Sequence, residues 1–194
     1  MPTKQPATTA QPGEREPVCL GILPSPREVG IAIASRERLY WNMVLNLKKI
    51  PSPLGKEVRF AQVIGSLIED YPVSKIAIAH LPRGKLSNPV LKTQFQRIEE
   101  EVRRHNLKLS VYSSQNIREK FSQSKHKTSN KVVAQMLSDR YPELWHKVPG
   151  ALPRTAADGK RLEKSTNSLR ERYWMRMFLA LGAAVVYLDE EIRK

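Results

Sequence analysis

Three short apolar runs stand close together near the start of the chain, and they constrain the fold more than any other feature. Val18-Cys19-Leu20-Gly21-Ile22-Leu23, Val29-Gly30-Ile31-Ala32-Ile33-Ala34 and Leu39-Tyr40-Trp41-Asn42-Met43-Val44-Leu45 are each of strand length. Pro24-Ser25-Pro26-Arg27 and Ser35-Arg36-Glu37 separate them, and loops that short join antiparallel neighbours. The runs therefore predict a three-stranded antiparallel meander.

Beyond the meander the pattern alternates. Pro51 and Pro53 break the chain, and residues 55–71 then carry Val58, Ala61, Ile64, Gly65 and Ile68 at helical spacing until Pro72. Lys75 to His80 reads as a fourth strand; reached through a helix, it is expected to lie parallel in the same sheet. A loop over 81–88 leads to a helix over 89–105 with Val90, Leu91, Phe95, Ile98 and Val102 on one face. Leu107 to Tyr112 alternates apolar and polar as a fifth strand, and Ser113 and Ser114 can cap a short helix through Phe121. Residues 130–141 form a helix around Val133, Met136, Leu137 and Tyr141, stopped by Pro142. Residues 145–165, with Pro149, Gly150, Pro153 and Gly159, read as an irregular mobile loop. The last helix is expected from about Leu169 to Leu188, with Met177, Phe178, Leu181, Ala184, Val185 and Leu188 inward. The order β-β-β-α-β-α-β-α-α-α defines an α/β fold, a mixed five-stranded sheet flanked by helices. Residues 18–194 are expected to form that domain, preceded by a disordered tail over 1–17 rich in Pro, Thr and Gln.

Charge narrows the function. The 194 residues carry 33 Lys+Arg against 19 Asp+Glu, a net charge of +14. Residues 1–17 sum to zero (Lys4 and Arg15 against Glu14 and Glu16), so the excess belongs to the rest. It is spread over residues 83–108, 115–131 and 160–176. A polyanion, nucleic acid above all, is the expected partner, although charge alone confers no sequence preference. One cysteine, Cys19, excludes a disulfide framework and a cysteine zinc site; His80, His105, His126 and His146 lack metal-ligand spacing. No apolar run is long enough to cross a bilayer and no secretory signal opens the chain, so a cytoplasmic protein is expected.

Several stretches, in order, resemble the RuvC-like Holliday-junction resolvases of the RNase H-like superfamily. Leu20-Gly21-Ile22-Leu23-Pro24-Ser25-Pro26-Arg27 resembles their opening "L-G-I-D-P-S-x-R", and Val29-Gly30-Ile31-Ala32 the "V-G-x-A" strand after it. Tyr112 to Arg118 resembles "Y-S-x-x-x-V-R", Lys127 to Ala134 the basic "T-K-x-x-V-A" segment, and Arg140-Tyr141-Pro142-Glu143-Leu144 its "R-F/Y-P-E-L" end. Arg172 to Leu181 is similar to the final-helix motif "Y-R/W-M-x-x-F-D-A-L-A". The resemblance spans about residues 18–188. It implies metal-dependent phosphodiester cleavage, with Mg²⁺ held by carboxylates on the first strand, the fourth strand and the last helix.

Those carboxylates are absent. The resemblance puts the first at Leu23, the second at Ala79 or His80, and the third at Leu179. Mg²⁺ requires hard oxygen ligands, so the resemblance implies a degenerate site with no catalytic residue and no metal ligand. Replacing mutually repelling acids by apolar groups buries more surface, at roughly 25 cal/mol per Å², and raises the net charge. Glu28 in the first turn, Asp139, Asp158 in the loop, Glu171, and Asp189-Glu190-Glu191 beyond the last helix are the available substitutes, and none is expected to face the cleft.

The favoured expectation is therefore a pseudonuclease of RuvC-like fold that binds duplex or branched DNA through a basic surface without a cofactor. Candidate phosphate contacts are Arg27, Arg83, Lys85, Arg118, Lys125, Lys127, Lys131, Arg172 and Arg176. A protein-interaction or structural subunit is the alternative, with Tyr40, Trp41, Trp145 and Trp174 as anchors wherever they are exposed. The third class, a structure-specific nuclease with a non-standard site, would need Mg²⁺. A homodimer is implied by the resemblance alone.

Overall fold

A computed structural model of the chain describes residues 16–80, 88–122, 129–148 and 164–191, with only the backbone described at His80 and over 164–170. The elements run β1 (Val18–Leu23), β2 (Glu28–Ala34), β3 (Leu39–Asn46), α1 (Pro53–Asp70), β4 (Val73–His80), α2 (Pro89–Arg104), β5 (Lys108–Ser113), α3 (Ser114–Lys120), α4 (Asn130–Arg140), a 3-10 turn (Pro142–Lys147) and α5 (Lys164–Glu190). The sheet order is β3-β2-β1-β4-β5, with β1, β2 and β3 antiparallel and β4 and β5 parallel to β1. This is the expected mixed five-stranded α/β architecture.

Local chemistry sets the helix starts. Ser52 accepts a hydrogen bond from Gly55 N at 3.0 Å before Pro53 opens α1, and Asn88 accepts from Val90 N at 3.0 Å before Pro89 opens α2. Ser113 and Ser129 cap α3 and α4 in the same way. Each cap satisfies an amide that the helix cannot, and proline at the first helical position gives up no hydrogen bond. Asn106, at φ 50°, takes the left-handed turn between α2 and β5 that asparagine tolerates.

The sheet's two faces differ in residue size. Leu20, Ile22, Val29, Ile31, Ile33, Ile76 and Ile78 cover one face and pack against Phe60, Ile64, Leu67 and Ile68 of α1 and Ile98 of α2. The other face carries Cys19, Ala32, Ala34, Ala77 and Ala79, and α5 lies on it with α4 outside. Small residues let α5 come very close. A Cβ on Gly21 would fall 2.1 Å from the Ala180 carbonyl oxygen, and one on Gly30 would fall 2.1 Å from that of Arg176. Glycine is required at both positions because helix backbone occupies the space of a side chain.

Three expectations need correction, and the β2–β3 register adds a feature the sequence did not foresee. Val58 is 47% exposed, because α1 buries Phe60 and Leu67 instead and its inward face is rotated from the expected one. A register shift opposite Ile33/Ala34 sends both Tyr40 and Trp41 toward Tyr71 at the end of α1, with centroids 6.4 and 6.5 Å away. The irregular stretch is shorter than 145–165, since Pro142–Lys147 winds into a 3-10 turn and α5 already begins at Lys164; residues 149–163 lie outside the described residues. α5 also runs through Glu190, so Asp189 and Glu190 belong to it.

Gly30→Ala must lift α5 off the sheet, and we expect it to cost about 2–3 kcal/mol, lowering Tm by roughly 5–10 °C. Gly65→Ala, whose added Cβ meets nothing within 4 Å, should instead raise stability by about 0.5–1 kcal/mol through helix propensity. Thermal unfolding of both variants by circular dichroism checks the contrast; equal effects would contradict the packing described.

A filled cleft at the strand ends

The C-terminal ends of β1 and β4 and the middle of α5 converge. Leu23 ends β1, Ala79 precedes the last residue of β4, and Leu179 lies in α5; all three belong to one buried apolar cluster with Met177, Phe178 and Ala180. Leu23 is 2% exposed, Ala79 0% and Leu179 5%. His80 ends β4, its backbone paired with Ser113 of β5. The three positions at which the resemblance requires acids thus all lie within this buried apolar cluster.

Their chemistry does not suit Mg²⁺. Leu23, Ala79 and Leu179 present only hydrocarbon, and no group of three or more His, Cys, Asp or Glu able to hold a metal ion occurs among the described residues. Cys19 lies on the same sheet face, but burial pushes its thiol far above the usual range, so it stays protonated and unreactive.

The substitute acids are engaged elsewhere. Asp189 takes a bidentate contact from Arg140, at 3.1 and 3.2 Å. Glu190 accepts from the Tyr112 hydroxyl at 2.8 Å and pairs with Lys120 at 2.9 Å. Glu191 pairs with the buried Lys75 and with Lys108, the latter at 3.3 Å. Lys75 and Lys108 stand at the starts of β4 and β5, so this acidic group closes the edge of the sheet opposite the cleft. Arg36 donates to the Leu188 carbonyl at 2.7 Å there, giving the helix end the cation its dipole favours. Asp139 is exposed and accepts from Gln135 at 3.1 Å, Glu171 lies 3.4 Å from Lys131, and Asp158 is outside the described residues.

Glu28 departs from expectation. It opens β2 rather than sitting in the turn, and it faces α5. Lys48 Nζ lies 2.5 Å from its Oε1, and Arg176 Nε lies 3.1 Å from its Oε2. Burial alone would raise the Glu28 pKa, but the two cations prevail and hold it below the usual carboxylate range. Tyr173, one turn before Arg176, donates to the Val44 carbonyl at 3.1 Å and meets Trp174 edge-on at 5.0 Å. The sequence offered no signal for the Glu28 contacts: Arg176 is separated from Glu28 by most of the chain.

The candidate phosphate contacts divide into groups. Arg27 is exposed in the β1–β2 turn, Arg118 is half-buried on α3, and Arg172 is exposed on α5. Lys131 reaches Glu171 from α4, and Arg176 is half-buried against Glu28. Arg83, Lys85, Lys125 and Lys127 lie outside the described residues. Of the aromatic candidates, Trp41 is 37% and Trp145 48% exposed. Trp174 packs on the core beneath Lys147 Nζ, 4.8 Å from its ring, and Tyr40 is half-buried.

Together the strand order and the flanking helices match an RNase H-like α/β fold. Solved structures share it. Thermus thermophilus RuvC in complex with a Holliday junction substrate superposes with a TM-score of 0.65 at 11% identity, over 91% of this chain and 96% of that one. Another T. thermophilus RuvC structure gives 0.63 at 11% identity, with the same shares covered. The yeast mitochondrial Holliday junction resolvase Ydc2 gives 0.51 at 13% identity, over 91% and 85%. No protein-family model matches the chain, and no curated protein matches it in sequence.

Two outcomes test this account of the site. Leu23→Asp buries a carboxylate without a partner and is expected to cost about 3–5 kcal/mol near neutral pH. Its pKa would rise in the folded state, so the deficit is full above that raised value and shrinks as pH falls through it toward the unfolded value of about 3.9; urea denaturation at pH 7 and pH 5 reads both terms, and a pH-independent deficit would be contrary. The opposite sign holds for native Glu28. Its lowered pKa supplies stability that is full above the unfolded value of about 4.3 and lost as pH falls through the folded one. The stability gap between wild type and Glu28→Gln should therefore close in acid, read from unfolding curves between pH 7 and pH 3.

Proposed function

We propose that this chain binds nucleic acid, duplex or branched DNA, at the strand-end surface and does not cut it. The observation that carries this reading is the apolar filling of the cleft by Leu23, Ala79 and Leu179 in a RuvC-type fold. The relative of similar fold holds a Holliday junction in its solved structure, which makes DNA the polyanion to test first. A net charge of +14 supports the same choice. Arg27, Arg118, Lys131, Arg172 and Arg176 are the described cations assigned to phosphates, with Arg83, Lys85, Lys125 and Lys127 in the neighbouring segments. The binding unit is taken as residues 18–194, with residues 1–17 as a tail.

Metal-free binding follows from the donor set. Phosphate contacts by lysine and arginine release counterions, so affinity falls with salt in proportion to the number of contacts. No helix among the described residues is long and apolar enough to cross a membrane.

A protein-docking role is the second reading, and the exposure of Trp41 and Trp145 favours it. Trp41 lies at the α1 side of the edge strand β3.

Fluorescence anisotropy with a labelled four-way junction, a duplex and a single strand, from 50 to 300 mM salt, tests the main reading. We expect log Kd to rise linearly with log salt, with a slope of roughly 0.9 per phosphate contact. Binding should be equal in EDTA and in Mg²⁺, and the probes should remain intact. Mg²⁺-dependent cleavage would overturn the non-cutting role, and absence of binding at low salt would overturn nucleic-acid binding altogether.

A further inference from the structure

We propose that Arg176 is a preoriented phosphodiester-binding fork beside the end of β1, with Glu28 as its positioning residue. This deepens the nucleic-acid reading and rests on it.

The backbone comes first. The Arg176 carbonyl rests on β2 at Gly30, at a distance only glycine permits, and Gly30 is the register partner of Leu23. The Arg176 side chain therefore leaves α5 beside the end of β1, one turn before Leu179. Direct contact of helix on strand fixes its root, so its position does not depend on a mobile loop.

The side chain comes next. A guanidinium has five N–H donors in a rigid plane. The Arg176 Nε donor is used on Glu28 Oε2 at 3.1 Å, while Nη1 and Nη2 have no acceptor among the described residues. Glu28 is in turn held by Lys48 at 2.5 Å. The guanidinium is gripped at its inner edge, and its outer edge keeps both terminal amines. Arg97 and Arg140 are arranged differently: Arg97 spends Nε, Nη1 and Nη2 on Glu57 and Glu100, and Arg140 spends all three nitrogens on Arg36 O and Asp189.

The electrostatics fit an anion. Lys48, Glu28 and Arg176 sum to one positive charge, and the Arg176 side chain is 29% exposed, open to solvent yet partly shielded from it. Parallel N–H groups match two oxygens of a phosphodiester, and prior fixation lowers the ordering cost of the contact. A lysine could not do both jobs, because its single ammonium would be drawn to Glu28.

The test uses the full-length chain and a fluorescein-labelled four-way DNA junction in EDTA. Arg176→Gln, Arg176→Lys and Arg59→Gln are compared with wild type; Arg59 is exposed on α1, across the sheet, so its loss controls for net charge. Arg176→Gln is expected to weaken binding on the order of tenfold and to reduce the salt slope by about one. Arg176→Lys should lose nearly as much, and Arg59→Gln less than about twofold. A mutation-free readout is the arginine side-chain ¹⁵N spectrum of the wild type, assigned with Arg176→Lys, in which the Arg176 signals should shift on junction addition. Wild-type binding with Arg176→Gln equal to Arg59→Gln, or full binding by Arg176→Lys, would overturn the fork and leave the nucleic-acid reading standing. A wild type that binds no nucleic acid overturns both. If Arg176→Gln fails to fold, the lysine variant and the spectrum decide, and unshifted Arg176 signals overturn the fork.

Discussion

Everything in this molecule depends on how closely α5 lies on the sheet. Its carbonyls at Ala180 and Arg176 occupy the places where Gly21 and Gly30 would otherwise carry a Cβ. Alanines at 32, 34, 77 and 79 keep the rest of that face shallow, and Ala180, Ala183 and Ala184 do the same on the helix. The opposite face carries isoleucines and valines against α1 and α2. The size difference between the faces thus decides which helix contacts which side. It also decides how little space remains between α5 and the strand ends.

The same helix separates charge. Its acidic end, Asp189 and Glu190 with Glu191 just beyond, is tied to Arg140 at the end of α4, Lys120 at the end of α3, and Lys75 and Lys108 at the starts of the parallel strands. Acids at a helix C-terminus oppose the helix dipole, so those cations are needed to hold that end down. Cations used there are unavailable to an external anion. Toward the other end of α5 the balance is reversed, since Glu28 meets two cations and leaves one positive charge over. The distribution of positive charge is thus defined as much by where the acids are spent as by where the bases lie.

The strands and helices were legible because they rest on short-range signals. Apolar runs, prolines and the serine and asparagine caps lie within a few residues of the elements they define. What escaped depends on partners far apart in sequence. Periodicity showed that α1 is amphipathic but placed Val58 inside, because the choice between neighbouring faces is made by the sheet. The Tyr40 and Trp41 side chains turn together only because β3 shifts register against β2. Asp189 and Glu190 looked like a tail beyond the helix, since their stabilising partners come from β5, α3 and α4. The three carboxylate positions were legible through a motif, and their apolar identity was plain. The Glu28–Arg176 contact was not, because it joins the second strand to the last helix.

A cage of carboxylates is a poor neighbour for phosphate unless cations fill it: its charges repel one another and repel the substrate as well. Hydrocarbon at those positions removes both costs at once, and the buried cluster gains the contacts that an acid would forfeit. The change does not disturb the elements that surround the cleft, because strand ends and helix roots are set by backbone pairing and by glycine contacts rather than by the acids. Arg176 illustrates the point, since its root is a carbonyl on Gly30 and its orientation comes from Glu28. In the proposed role, holding a phosphodiester would rely on Arg176, whereas breaking one would need acids that Leu23, Ala79 and Leu179 do not supply.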